Sequence, residues 1–278
     1  MPKLTIVERP APMPAVPTDG PGVYVWRDLK GRPCAYGQTV SGRHWMYWPR
    51  LATYAFDDAG AEVIAYANDS ATPDDIIDTF HRMVLPLALQ RRGLEALHAS
   101  AVTMTGGVVA FCAISGTGKS TLAYAYDHMK GCRQWSDDVL VFDVQASGIC
   151  AVPLPFDVRL LPEAAAQFVR KRAVNIARPA STPSVERAPL AAVCILARRG
   201  LDESAPDVGV RRLSHAEALP AVLAHAHCFN LTDAARKKTM LQHYFDLVEH
   251  VPVFEVGFRP GLERLPAVLD GVTTAVSV

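Results

Sequence analysis

The 278-residue sequence lacks any long hydrophobic run. Its longest uninterrupted apolar stretches are residues 108 to 114 and 190 to 197, far short of the roughly 20 residues that span a bilayer. It also lacks net charge. Its 28 Lys and Arg balance 28 Asp and Glu, which argues against a broad electrostatic coat for nucleic acid or a membrane surface and leaves room only for local patches. Paired cysteines are missing too. Cys34, Cys112, Cys132, Cys150, Cys194 and Cys228 form no C-x-x-C motif, a pattern that fits free thiols in a reducing cytoplasm rather than a disulfide frame or a zinc site. The proline-rich start MPKLTIVERPAPMPAVPTDG has no apolar signal-peptide segment, and no internal repeat is visible. What remains is a chain that is 50% apolar and 20% charged. That is the make-up of a soluble globular protein with a full core, in one large domain or two modest ones.

Two sequence grammars divide the chain. Residues 7 to 22 read as an extended lead-in. From Gly22 to about Asn68, strand-like pieces at 23 to 26, 43 to 54 and 61 to 67 alternate with turns such as 28 to 33. Thr72-Pro73-Asp74-Asp75 opens a helix over 72–92, with Thr as cap and acids in the first turn. Pro86 should kink or end that helix, and Gly93 stops it. After Leu94, strands are expected at 97 to 104, 108 to 113, 138 to 144, 148 to 152, 155 to 160, 190 to 198, 207 to 212 and 252 to 257. Helices are expected at 119 to 130, 162 to 171, 214 to 226, 235 to 249 and 261 to 270, with a basic loop over 172 to 189. This predicts an α/β protein: a β-rich region over 1–93 ending in a helix, then a nucleotide-binding domain over 94–278.

The strongest signal is Ala113-Ile114-Ser115-Gly116-Thr117-Gly118-Lys119-Ser120-Thr121. It fits the phosphate-binding loop pattern G-x-x-x-x-G-K-[ST] everywhere except the first position, where alanine replaces glycine. An apolar strand runs into it and a helix leaves it, as the chemistry requires. Backbone N–H groups of Ser115, Gly116, Thr117 and Gly118 would cradle phosphate oxygens at the positive end of the helix dipole. Lys119 would reach the β- and γ-phosphates, Ser120 would ligate magnesium, and Thr121 completes the motif.

A phosphate loop does not say what becomes of the phosphate. Asp137 and Asp138 follow Lys119 by 18 and 19 residues, on a segment that would return beside the loop. One acid could hold magnesium and the other take a proton from an attacking hydroxyl. Asp143, at the end of the apolar run 139 to 142, competes for the magnesium role with less favourable placement. His98 lies 21 residues before Lys119 on the preceding strand, where a lone histidine is most often a core residue.

Leu97-His98-Ala99-Ser100, the loop Ser115 to Ser120 and the Asp137-Asp138 pair together resemble the catalytic half of HPr kinase/phosphorylase over roughly residues 94 to 160. The resemblance implies an α/β fold of the HPr-kinase and phosphoenolpyruvate-carboxykinase type. It brings His98 near the phosphates and implies Asp137 or Asp138 as the base that activates a serine. Pro155 to Leu161 is similar to a further family segment. Asp157 would stand for its magnesium-binding acid, so that Ser120, Asp138 and Asp157 form the implied metal set, and Arg159 matches its arginine. A glycine of that segment is Leu160 here, which argues against carrying over the family's phosphorolysis. Arg259-Pro260-Gly261 is a weaker match. The overall pattern is closer to short HPr-kinase-related proteins of lasso-peptide tailoring pathways, which phosphorylate a serine of the precursor peptide.

The resulting expectation is an ATP- and Mg2+-dependent serine kinase acting on a peptide or protein, cytoplasmic, without nucleic-acid or membrane partners, and a homo-oligomer as in the resembled family. Arg159, Arg170, Lys171 and Arg172, with Arg178 and Arg187, would clamp an acidic substrate. A small-molecule kinase and a nucleotide-gated binding module are the rival readings.

Overall fold

The computed structural model describes residues 1–8, 16–28, 30–158, 160, 168, 186–200, 206–228 and 233–277. Apart from Phe168, the expected helix at 162 to 171 lies outside them, as does nearly all of the basic loop. The chain divides into two compact units. The first holds Met1–Glu95 and Cys228–Met240, and the second Ala96–His227 and Leu241–Val278.

The first unit is built on a six-stranded sheet in the order β1-β6-β5-β4-β3-β2. Its strands are β1 (Lys3–Val7), β2 (Tyr24–Arg27), β3 (Pro33–Val40), β4 (Arg43–Trp48), β5 (Ala52–Asp57) and β6 (Glu62–Ala67). Strands β2 to β6 form an antiparallel meander, and β1 adds to its edge in parallel, Val7 opposite Tyr66. The sequence reading missed β1 because the prolines that follow it dominate that stretch. Period-two alternation buries Met46, Tyr54 and Ala65 on one face, and on the other leaves Trp45 stacked on Tyr66 and Tyr36 on Tyr47.

The helical segment after β6 is α1 (Pro73–Thr79), a π-turn (Phe80–Val84) and α2 (Leu85–Arg91). Thr72 caps it by accepting from the Asp75 N–H. The expected break at Pro86 takes the form of that wide turn. Pro86 has no N–H to give the Arg82 carbonyl, and its ring would crowd that oxygen. The ladder instead runs i→i−5, with Leu85 N–H on Phe80 O. Gly60 has φ +55°, and a Cβ there would come 2.5 Å from the Ala88 carbonyl oxygen. Only glycine allows that approach. Tyr54 Oη donates to Ile76 O at 2.9 Å. Fully buried Glu95 holds Arg236 through two hydrogen bonds, at 2.6 and 2.8 Å.

The second unit carries β7 (Glu95–Leu97), β8 (Ala99–Met104), β9 (Gly107–Cys112), α3 (Lys119–Lys130), β10 (Gln134–Ser136), β11 (Leu140–Gln145), β12 (Gly148–Val152) and β13 (Ala188–Arg198). It continues with β14 (Val208–Arg212), α4 (His215–Leu223), α5 (Ala234–His250), β15 (Val253–Phe258), a 3-10 turn (Leu262–Arg264) and α6 (Leu265–Val276), although Glu95 of β7 and residues 234–240 of α5 belong to the first unit. Its sheet runs β10-β8-β9-β13-β12-β11-β7, and β15 also pairs with β13 and carries β14. β13 is parallel to β9 along one edge. Along the other its start meets β12 and its end meets β15. Helices α3 and α6 share an apolar core with this sheet. Phe111 stacks on Tyr126, whose hydroxyl donates to Leu269 O at 2.8 Å, and Cys194 and Val256 fill the space around them. Burial drives the Cys112 thiol up to about 12, so it acts as a small apolar group. Among the described residues no helix is long and apolar enough to cross a membrane.

Four expectations change. The single strand at 97 to 104 is interrupted at His98, whose N–H goes to His225 O while Ala99 N–H goes to Asp138 O. The strand expected from 138 begins only at Leu140, because Asp138 has φ +66°, which breaks an extended run. No strand forms at 155 to 158 or at 160, where Pro153 and Pro155 remove two ladder donors. The helix expected over 214 to 226 ends at Leu223. Its start is fixed by a capping box in which Ser214 and Glu217 bond reciprocally.

Candidate active site

The site is assembled where β9 ends. The chain leaves the sheet at Ala113, turns through Ser115 to Gly118, and enters α3 at Lys119. Gly116 and Gly118 have φ of +82° and +121°, which explains both glycines. Ala113 has no such requirement. Its φ is not positive, and its methyl group joins the core beside Val102 and Leu122, so alanine serves where the motif has glycine. Thr117 and Lys119 are buried, whereas Ser115 and Gly116 are exposed and Ser120 and Thr121 half-buried.

Lys119 lies at the centre of one hydrogen-bond network. Its ammonium donates to Ala113 O at 2.9 Å and faces His98 Nε2 at 3.0 Å. Since an ammonium can only donate, His98 Nε2 accepts. The imidazole proton is then on Nδ1, which donates to Asp138 O at 3.0 Å. Burial lowers the His98 pKa and the Lys119 charge lowers it further, in keeping with a neutral ring. Burial also lowers the Lys119 pKa, against the upward pull of Asp138, Cys112 and Asp137.

A second chain of contacts runs alongside. The buried Asp137 carboxylate accepts from Ser100 Oγ at 2.7 Å, and Ser100 Oγ lies 3.5 Å from Ser120 Oγ. The two neighbouring acids therefore face different parts of the site. Asp137 joins the serine side. Asp138 presents its carbonyl to His98, and its half-buried carboxylate pulls the Lys119 pKa up more strongly than Asp137 does. The bend between β10 and β11 makes this division, through the left-handed conformation at Asp138.

Four further residues border the site. Ser100 stands in the Leu97-His98-Ala99-Ser100 motif, which assigned it no role of its own, and the other three belong to no motif. His225 and His227 sit on the turn after α4, bonded through the backbone to His98 and Ala96. Burial lowers both of their pKa values, taking His227 to about 4. Arg198, at the end of β13, donates to Gly116 O at 2.7 Å and to Thr117 O at 3.2 Å.

Other expected residues lie elsewhere. Asp143 bonds Gln145 and pairs with Arg187, so Arg187 is engaged by an acid rather than held ready for substrate. Arg259 pairs with Asp207. Asp157 is exposed, and no hydrogen bond joins it to Ser120, Asp137 or Asp138. Arg159, Arg170, Lys171 and Arg172 fall outside the described residues. Among the described residues no three His, Cys, Asp or Glu side chains converge as a metal cage.

No family model matches the chain, and no curated protein matches it. Among solved structures, that of the Hpr(Ser) kinase/phosphatase from Coxiella burnetii is similar over 65% of this chain and 95% of that one, with 12% identity and a TM-score of 0.33.

Proposed function

We propose that the protein transfers the γ-phosphoryl group of ATP to a serine hydroxyl of a peptide or protein. The observation that carries this reading is the pair of contact chains that tie the phosphate loop to two adjacent acids. Lys119 and Ser120 begin α3, His98 holds Lys119, and Ser100 links Ser120 toward Asp137. The loop amides and Lys119 bind phosphate oxygens. Asp138, half-buried beside Lys119, accepts the proton of the attacking hydroxyl, and His98 keeps Lys119 aimed at the loop. Catalysis of this kind is positioning and charge neutralisation.

Magnesium fits the serine side. Mg2+ prefers one or two carboxylates, substrate phosphates and retained waters to an all-protein cage, and Ser120 with Asp137 offers that set, without Asp157. Bound there, the ion would neutralise charge on the transferred phosphoryl group. The serine-bearing acceptor, a lasso-type precursor peptide among the candidates, rests on the resemblance of the motifs to HPr-kinase-related proteins, as do cytoplasmic location and self-association.

The test is intact-mass analysis of candidate peptides after incubation with ATP and magnesium. One added phosphate is expected on serine, lost in Lys119→Ala and in Asp138→Asn. Phosphate transfer to a metabolite instead would select the small-molecule reading. Nucleotide binding without transfer would select the binding module. ATP turnover unaffected by Lys119→Ala would remove the site altogether.

A further inference from the structure

The phosphate loop is held from outside by one side chain that no motif identifies. Arg198 ends β13, the strand parallel to β9 on which the loop is built. Its Nη2 donates to Gly116 O at 2.7 Å and its Nε to Thr117 O at 3.2 Å. These carbonyls belong to consecutive peptide planes, Gly116–Thr117 and Thr117–Gly118. The planes are flanked by the two glycines at positive φ, the most freely rotating points of the loop.

In a trans peptide the C=O and the following N–H point in opposite directions. A guanidinium that draws both carbonyls to itself therefore turns the attached N–H groups away. The N–H of Thr117 bonds back to Ile114 O at 3.3 Å, closing the turn. The N–H of Gly118 is aimed to the side opposite Arg198, at the start of α3, where anions bind helix termini. Without that hold, each plane between two glycines could flip and present a carbonyl where a donor is needed. The fork geometry matters, since two acceptors on neighbouring planes call for two donors in fixed relation, which lysine lacks.

We propose that Arg198 is a positioning residue of the phosphate site, fixing the turn at Thr117 and the donor-inward orientation of the Gly118 amide before nucleotide arrives. This rests on the reading of the loop as a nucleotide-phosphate site. The requirement is specific. Arg198 should govern recognition of the phosphate chain and leave recognition of the nucleoside untouched.

The experiment uses the full chain and inorganic pyrophosphate, ADP and adenosine as probes, measured by calorimetry or by displacement of a fluorescent ADP. Arg198→Ala and Arg198→Gln should weaken pyrophosphate and ADP about tenfold, the scale of losing charge-assisted hydrogen bonds, with adenosine affinity unchanged. Arg198→Lys should recover only part of the loss. Amide hydrogen exchange of the nucleotide-free protein, read by mass spectrometry, should speed up in 114 to 118 and not in β9 or the body of α3. The inference is overturned by pyrophosphate and ADP affinities within twofold of wild type in Arg198→Ala. An equal loss for adenosine, or exchange faster throughout the unit, overturns it too, because that would be general destabilisation. Lys119→Ala separates the two levels. If it abolishes ADP binding while Arg198→Ala stays within twofold of wild type, the phosphate site stands and only the role of Arg198 falls. If wild type binds neither pyrophosphate nor ADP, both fall.

Discussion

Replacing Asp138 by glycine separates what its backbone does from what its carboxylate does. The backbone sits at φ +66°, a left-handed conformation that costs an ordinary L-residue about 1–2 kcal/mol. Its carbonyl accepts from both His98 Nδ1 and Ala99 N. Glycine adopts this conformation freely, so both hydrogen bonds persist. The relief is offset by the greater freedom of glycine in the unfolded chain, about 0.5–1 kcal/mol. Net stability should therefore move by no more than about 1 kcal/mol. His98 and Lys119 stay in place, and ADP affinity should stay equal or become slightly tighter, since a negative charge near the phosphates has gone. Phosphoryl transfer should nevertheless fall by about 10²–10⁴, the usual worth of a positioned base. Asp138→Ala should show the same catalytic loss with an added stability cost of about 1 kcal/mol, because alanine lacks the left-handed tolerance of Asp. The assays are urea unfolding, ADP calorimetry, and the initial rate of phosphate incorporation into the acceptor peptide. Turnover in Asp138→Gly above a third of wild type would refute the base assignment. A loss of stability well beyond that of Asp138→Ala would refute the account of the bend.

Three further outcomes follow from the same geometry. His227, its Nε2 enclosed and its pKa lowered to about 4 by burial, binds its proton less readily folded than unfolded. Stability should thus decline as pH falls from about 6.5 to about 4, by at most about 3 kcal/mol, and level off below; His227→Gln should flatten that part of the urea-measured profile, and parallel profiles would count against it. Tyr126→Phe removes a buried donor, but Leu269 O keeps the Thr273 hydroxyl at 2.8 Å, so the loss should be only about 1 kcal/mol by urea unfolding. Glu95→Ala leaves the Arg236 guanidinium without its bidentate carboxylate and should destabilise the first unit by about 3 kcal/mol or more, whereas a change below 1 kcal/mol would mean solvent rescues the charge.

The sequence was most legible where backbone conformation demands a residue type. Gly116, Gly118 and the Lys-Ser pair at the start of α3 are visible because their roles tolerate little else. The Thr72 cap and the acids after it marked α1 for the same reason. Periodicity failed where the backbone departs from a period. His98 interrupts a strand because its N–H answers a distant turn, and Asp138 bends left-handed in a run of strand-forming residues. Arg198, His225 and His227 were invisible for a different reason. They reach the site through sheet adjacency and a turn, and nothing in the spacing of a single chain announces a partner 81 residues away. Asp143 shows the reverse hazard. An acid after an apolar run looks like a metal ligand until an arginine is found beside it.

The ion pair between Glu95 and Arg236 also bears on the order of events as the chain is made. The first unit is discontinuous, closing only with Cys228–Met240, so a ribosome must release nearly the whole second unit before Arg236 emerges to meet its carboxylate. Until then Glu95 belongs in water, not in a core, and residues around the start of β7 have reason to stay open. The β-rich meander can form early, but its completion is timed by the end of translation. A protein divided after residue 95 would separate that carboxylate from its arginine, which makes the two units poor candidates for expression as separate pieces.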